Sequence, residues 1–378
     1  MVCKQMKVLF QTIGVLTQYN WALPYYLVSI GDQNLTVSIK LYTDAFSYLM
    51  GGFYYHLKRP RKLIPAFSGS GLFSELDRTL NKVGALYKLP HFDVIHLNKA
   101  TDELTDIALK TEVPKVFTFH GSLDPSHIKD VNSTCECLGK ISEKAIFVAV
   151  SQYSSNTLAK YCNIKARVIH NGVDVSLFNP LLPRIEARRK LGLPSDKRII
   201  LWSGRIDPDK RLDTLLRIAP KILRERKDVI ILVKGRTINK SYLAYLEGLI
   251  RKGGLERFIK LDLGWTPNIF MLYYYRASDL YIHTSISEGF SLTLLEAMAS
   301  GIPVIGRNAS SMPEAIGDKS LLFNDEDELA EKILEVLSNE EESEKIGIRL
   351  FYRVIEEGFT SIDQAKKYLD LYEEIICQ

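Results

Sequence analysis

Two glutamates dominate the chemistry this chain could perform. Glu288 and Glu296 bracket the stretch Glu288-Gly289-Phe290-Ser291-Leu292-Thr293-Leu294-Leu295-Glu296, which runs on into Ala297-Met298-Ala299-Ser300-Gly301-Ile302-Pro303-Val304-Ile305. The pattern predicts a loop carrying one carboxylate, then an apolar helix that begins near Ser291 and carries the other. Gly289 lets a backbone approach a ligand closely. The helix start offers N–H groups without intrahelical partners and the positive end of a dipole, which together suit an anion. The amides of Phe290, Ser291 and Leu292 would then face phosphate groups. Glu296 falls among Leu294, Leu295, Ala297, Met298 and Ala299, where an unpaired charge is costly. A hydroxyl-rich ligand such as a nucleotide ribose, or a cation, would satisfy it.

Beside such an anion seat, fixed cations would stabilise negative charge without a metal. Arg205 follows the strand-like run Arg198-Ile199-Ile200-Leu201-Trp202, and Lys210 comes soon after it. His120 follows a second such run, Val116-Phe117-Thr118-Phe119. Each has an ordinary alternative: a surface ion pair for the cations, a buried ion pair for Glu296, a structural role for the histidine.

Taken together, the E-G-F-S-x4-E-A-M-A-x-G-x-P-V-I pattern, Ser203-Gly204-Arg205 with Lys210, His170-Asn171-Gly172-Val173-Asp174, Ala149-Val150-Ser151 and Thr118-Phe119-His120-Gly121 resemble retaining glycosyltransferase family 4. The resemblance spans about residues 90 to 320 and implies the α/β GT-B fold, two Rossmann-like doubly wound parallel-sheet domains facing a cleft. It also implies roles. Arg205 and Lys210 match the family's diphosphate-binding pair, Glu296 the ribose-binding glutamate, and Glu288 the glutamate near the reaction centre, catalytic or positioning. His120 matches the histidine that reaches the donor sugar across the cleft as the domains close. Gly235 and Leu263-Gly264 fall where the family's base-binding loops lie. The family's glycine-rich loop after the first strand is reduced here to Gly14 in Thr12-Ile13-Gly14-Val15, and residues 15 to 90 carry little of the family pattern.

The implied activity is transfer of a hexose-type sugar, with retention, from a UDP- or GDP-linked donor to a glycan or lipid-linked acceptor. Neither a cofactor nor a metal is expected. The competing readings are a sugar-nucleotide epimerase or phosphorylase of the same architecture, and a non-catalytic nucleotide-sugar-binding protein.

The elements that must position these residues follow from the hydrophobic rhythm. With 378 residues, 46% hydrophobic and 25% charged, the chain suits two globular domains with sizeable cores. Apolar strand-like runs alternating with helical patterns point to parallel α/β sheets, whose ligands gather at the carboxyl ends of the strands. Pro180, Pro183 and Pro194 mark a connector, and we expect an acceptor-side domain over 1–175 and a nucleotide-sugar domain over 176–378. In the resembled family the last helix, about 361–378, crosses back to the first domain.

A net charge of +4 is too small to argue for nucleic acid. Residues 1–175 nevertheless hold 19 Lys or Arg against 14 Asp or Glu, with Lys58, Arg59, Arg61 and Lys62 beside Phe53, Tyr54, Tyr55 and Phe67. The segment 53–67 could therefore be a peripheral membrane or anionic-acceptor patch, against the plainer reading of a solvated basic loop. Without a spanning apolar run or a leader pattern, the chain reads as cytoplasmic, at most touching the inner face of the membrane. The five scattered cysteines suggest reduced thiols rather than a disulfide framework, and Cys135 and Cys137 as a lone C-x-C do not suggest zinc. Asp207-Pro208-Asp209 fits a metal-binding D-x-D pattern, but so does Asp325-Glu326-Asp327. The glycines at 69 and 71 lack a fingerprint context, and no P-loop motif occurs.

Overall fold

The computed structural model describes residues 6–11, 35–41, 63–67, 92–98, 100–101, 103–125 and 130–377. Gly14 and most of the basic aromatic segment lie outside the described residues. The chain forms two compact units, Met1–Gly172 with Thr360–Gln378, and Val173–Phe359.

The first unit is built on an all-parallel, seven-stranded sheet of order β3-β2-β1-β4-β5-β6-β7. Its strands are β1 (Met6–Gln11), β2 (Leu35–Leu41), β3 (Leu63–Phe67), β4 (Val94–Leu97), β5 (Lys115–Phe119), β6 (Ile146–Ala149) and β7 (Arg167–Val168). Strand direction reverses its spatial progress between β1 and β4, which makes the carboxyl ends there a topological switch point. Ile95, Leu97, Phe117 and Phe147 face Leu138, Ile141 and Leu158 of the helices Val131–Ser142 and Gln152–Cys162 in one core. Asp130 and Ser151 cap those helices by accepting from Ser133 N–H and Ser154 N–H.

One expectation is corrected here. Cys135 and Cys162 form a disulfide, because the two helices pack side by side and bring their Cα atoms to 4.9 Å, within bonding range. The partners are 27 residues apart in sequence, and nothing local in either segment marks the pairing. Cys137 and Cys377 are free thiols.

The helix Ser361–Cys377 belongs to the first unit. Its Tyr372 hydroxyl meets His96 Nδ1 at 2.5 Å and its Tyr368 hydroxyl meets Thr118 Oγ1 at 2.8 Å, while His96 Nε2 lies 2.7 Å from Thr118 Oγ1. All four side chains are buried, so these hydrogen bonds satisfy polar groups that would otherwise be costly. Burial, and secondarily His120, hold His96 well below the usual imidazole range. The helix start is fixed by Gly172 N–H donating to Gln364 Oε1 at 3.1 Å.

The second unit repeats the plan with six parallel strands of order β10-β9-β8-β11-β12-β13. These are β8 (Arg198–Ile206), β9 (Val229–Thr237), β10 (Ile259–Leu263), β11 (Leu280–His283), β12 (Val304–Arg307) and β13 (Leu322–Phe323). Ile200, Trp202, Ile231, Val233, Leu280 and Ile282 pack against Leu215, Leu216, Ala219 and Ile222 of the helix Leu212–Glu225 and against Leu329 and Ile333 of the helix Glu326–Ser338. Here the switch point lies between β8 and β11.

Candidate active site

Four chain segments meet at the carboxyl ends of β8, β11 and β12. β8 ends in Ser203-Gly204-Arg205-Ile206 and is followed by a 3-10 turn, Pro208–Lys210. Asp207 caps that turn by accepting from Asp209 N–H at 3.2 Å, a structural duty for one half of the D-x-D pattern. β11 leads through Thr284 and Ser285 to Glu288, and the helix Leu292–Ala299 follows with Ser291 at its N-cap. The Ser291 side chain caps no first-turn amide; its Oγ lies instead 3.2 Å from Thr293 Oγ1, and the first-turn amides have no intrahelical acceptors. The side chain of Phe290 is buried against Phe359, with ring centroids 5.1 Å apart. This packing sets the direction in which the loop enters the helix.

Glu288 is the centre of the arrangement. Its Oε1 receives Lys210 Nζ at 2.5 Å and Ser285 Oγ at 2.8 Å, and His283 Nε2 stands 3.4 Å away. Burial alone would push its carboxyl upward, but the Lys210 ammonium, with a smaller contribution from His283, holds it well below the usual carboxylate range. Glu288 is therefore an anion at neutral pH. Its backbone is clamped as well, since its N–H donates to Ser310 Oγ at 3.1 Å and its carbonyl accepts from Ser311 Oγ at 3.2 Å. Ser310 takes a left-handed conformation, φ 48°, a cost of about 1–3 kcal/mol that is common where a functional group is being aimed.

Glu296 lies one helix away, 7% exposed, and accepts from the Tyr275 hydroxyl at 2.8 Å. Burial raises its carboxyl to about 7, and the tyrosine bond only partly offsets this. The expected cost of an unpaired charge is thus met in part by holding the proton.

Lys210 does not stand open toward a ligand; it is paired with Glu288. Arg205 is exposed and has no ion pair or hydrogen-bond partner among the described residues. Its placement differs from expectation, because β8 runs on to Ile206 and Arg205 sits within the strand, in register with Arg236 of β9. Gly235 and Leu263 likewise lie in strands rather than loops. Gly235 pairs with Gly204 on one side and Leu263 on the other. A Cβ at Gly235 would fall 2.2 Å from the Gly204 carbonyl oxygen, so glycine is required for the strands to pair this closely. Gly235→Ala should cost about 1–3 kcal/mol and lower Tm by several degrees, and an unchanged melting curve would contradict this account.

His120 belongs to the first unit, directly after β5, and its Nε2 lies 2.8 Å from Asn98 Oδ1. With the imidazole N–H donating to that carbonyl, the ring has a fixed orientation. Burial lowers His120 to about 3, which keeps it neutral. Sequence reasoning missed His283, Tyr275, Ser310 and Ser311. A period-2 strand reading with the strand end at His283 would have flagged only the first.

The fold and this site define a two-unit parallel α/β protein of the GT-B type, with an anion-suited loop and helix in its second unit. The description "Glycosyl transferases group 1" matches residues 183–349, and "Glycosyltransferase Family 4" matches residues 50–177. The chain therefore carries both a group 1 and a family 4 glycosyltransferase region. It is 26% identical to a D-inositol 3-phosphate glycosyltransferase of Thermobispora bispora over 278 residues, 65% of this chain and 64% of the relative. A Streptomyces scabiei protein of the same description is 35% identical over 161 residues, 41% of this chain and 36% of that one. The chain thus matches less than two thirds of either relative's length. The crystal structure of Anabaena HepE in complex with UDP and glucose has the same fold, with TM-score 0.79 at 19% identity over 98% of this chain and 100% of that one.

Proposed function

We propose that the chain transfers a hexose-type sugar from a UDP- or GDP-linked donor to a glycan or lipid-linked acceptor, with retention and without an obligatory metal. The observation that carries this reading is the convergence of Glu288, Glu296, Lys210 and Arg205 on the carboxyl ends of β8 and β11, beside the start of the helix Leu292–Ala299. In this reading Arg205 and Lys210 hold the diphosphate, and the first-turn amides add donors without charge. Glu296 takes the ribose hydroxyls, and the Glu288 anion faces the sugar where positive character develops at the anomeric carbon. The neutral imidazole of His120 acts as a hydrogen-bonding group for the donor sugar, and its low basicity argues against a role as proton acceptor. The ligand in the Anabaena neighbour and the name of the curated relatives support a uridine nucleotide as the first donor to try and D-inositol 3-phosphate as one acceptor to include.

Calorimetry with UDP, GDP, ADP and CDP tests the donor end. One diphosphate should bind at micromolar Kd, and Arg205→Ala should weaken it by about 10- to 100-fold, as loss of a charge-assisted hydrogen bond does. Release of diphosphate from a UDP- or GDP-sugar in the presence of a chelator tests metal independence, and a complete loss of turnover there would overturn it. Binding without turnover for any acceptor would favour the non-catalytic reading.

A further inference from the structure

Two arginines stand abreast at the carboxyl ends of the long strands of the second unit. Arg205 of β8 is in register with Arg236 of β9, and each is one residue short of its strand's end. Both are exposed, and Arg236, like Arg205, has no ion pair or hydrogen-bond partner among the described residues. Neighbouring strands lie about 5 Å apart, and like charges placed opposite each other repel. The strands cannot splay here, because Gly204 and Gly235 bring the two backbones into close contact immediately before the arginines. Carboxylates on the adjoining segments are engaged elsewhere. Asp262 of β10 is bound by Lys234 Nζ at 2.9 Å and by the Tyr274 hydroxyl at 2.5 Å, Glu288 is bound by Lys210, and Asp207 caps the turn after β8. The pair is thus a concentration of positive charge that the fold holds together without help from a neighbouring acid.

The face from which they project connects them to the nucleotide. Side chains alternate along a strand, so Arg205 and Arg236 share a side of the sheet with Ser203 and Lys234, which are also in register. Ser203 Oγ lies 3.3 Å from the Tyr275 hydroxyl, which donates to Glu296 at 2.8 Å. A nucleotide whose ribose meets Glu296 carries its diphosphate along this same side. Resting on that proposed reading of Glu296, we infer that Arg236 is a further donor-binding residue, which grips the diphosphate together with Arg205. Each guanidinium presents paired N–H donors that match phosphate oxygens, and a diphosphate has oxygens and charge enough for both. No covalent bond is made or broken. The ligand supplies the counter-charge that the surrounding chain does not, so repulsion between the two guanidiniums is relieved as the donor binds.

The test is calorimetry of UDP and GDP at low and high salt, with thermal melts of the same proteins in the absence of nucleotide. Arg236→Gln should weaken the diphosphate that binds the wild type by about 10- to 100-fold at low salt, and the penalty should shrink as salt rises. Arg236→Lys keeps the charge without the planar fork and should recover part of the loss. Without nucleotide, Arg236→Gln should melt at the same temperature as the wild type or higher, because it removes a repulsion and breaks no contact. A fall in Tm would show that the fold itself needs Arg236, and would overturn the inference. So would a penalty of equal size at every salt concentration, which would mark a contact to a neutral part of the nucleotide. Wild-type binding that Arg236→Gln leaves unchanged would overturn this inference alone, and weakening of D-inositol 3-phosphate in its place would move Arg236 to the acceptor. No binding of either diphosphate to the wild type would overturn the proposed function itself, and this inference with it.

Discussion

Glu288→Gln is expected to lower kcat by about 10³-fold while leaving diphosphate affinity unchanged or several-fold tighter. Glutamine keeps the shape of the side chain, and its carbonyl can still accept from Ser285 Oγ, which reaches Glu288 Oε1 at 2.8 Å. What disappears is the charge. The carboxylate, held ionised by Lys210 against the effect of burial, is the anion that the proposed reaction sets against a developing oxocarbenium-like centre. Its removal therefore falls on the transition state rather than on the ground state. Lys210 at the same time loses its competitor at 2.5 Å and meets the diphosphate unopposed, so donor affinity should not fall. The mirror substitution behaves differently. Lys210→Met strands a buried carboxylate, which should destabilise the protein by about 3–5 kcal/mol and weaken the diphosphate together. Steady-state kinetics and calorimetry on the two variants separate these effects. Retained kcat with lost binding in Glu288→Gln would reduce Glu288 to a structural partner of Lys210.

Much of this arrangement was legible in the sequence, for identifiable reasons. Parallel strands buried on both faces read as continuous apolar runs, and the cores of β4, β5, β6, β8, β9 and β11 were visible in this way. The helix start at Ser291 followed from the change to an apolar run after Gly289. The ends of the long central strands were not legible. Gly204, Arg205, Gly235 and Arg236 are residues that ordinarily signal loops, yet parallel pairing carries β8 and β9 through all four. The close approach of the two glycines explains their type, since a side chain at Gly235 would meet backbone. β3 escaped notice because Pro65 interrupts a short run. The remaining misses are tertiary. The Cys135–Cys162 bond, the Lys210–Glu288 pair and the position of His283 each join residues remote in sequence or on different loops, and no local pattern encodes their meeting.

Glu296 makes a prediction with a definite sign. Its folded-state carboxyl is raised to about 7 from an ordinary value of 4.5 by burial, with the Tyr275 hydroxyl opposing the rise. Between these values the unfolded chain gives up its proton while the folded protein keeps it. Stability therefore falls as pH rises through this window and levels off above about 7. Glu296→Gln removes the term. In the absence of ligand the variant should be more stable than the parent at pH 8 by about 2–3 kcal/mol and nearly equal to it at pH 4.5, a difference that denaturant melts at the two pH values can read. Donor binding should move in the opposite direction. Ribose hydroxyls donate to a carboxylate more strongly than to a neutral acid or amide, so ligand favours the ionised form. The ratio of diphosphate affinities, parent over Glu296→Gln, should then rise with pH up to about 7 and flatten beyond it. Glu296→Ala, which removes both acceptors, should cost about 30- to 1,000-fold in affinity. A variant that is stabilised at alkaline pH yet binds as tightly as the parent at every pH would show that the buried carboxyl does not touch the nucleotide. The ribose would then have to be held by residues on the first-turn side of the helix Leu292–Ala299.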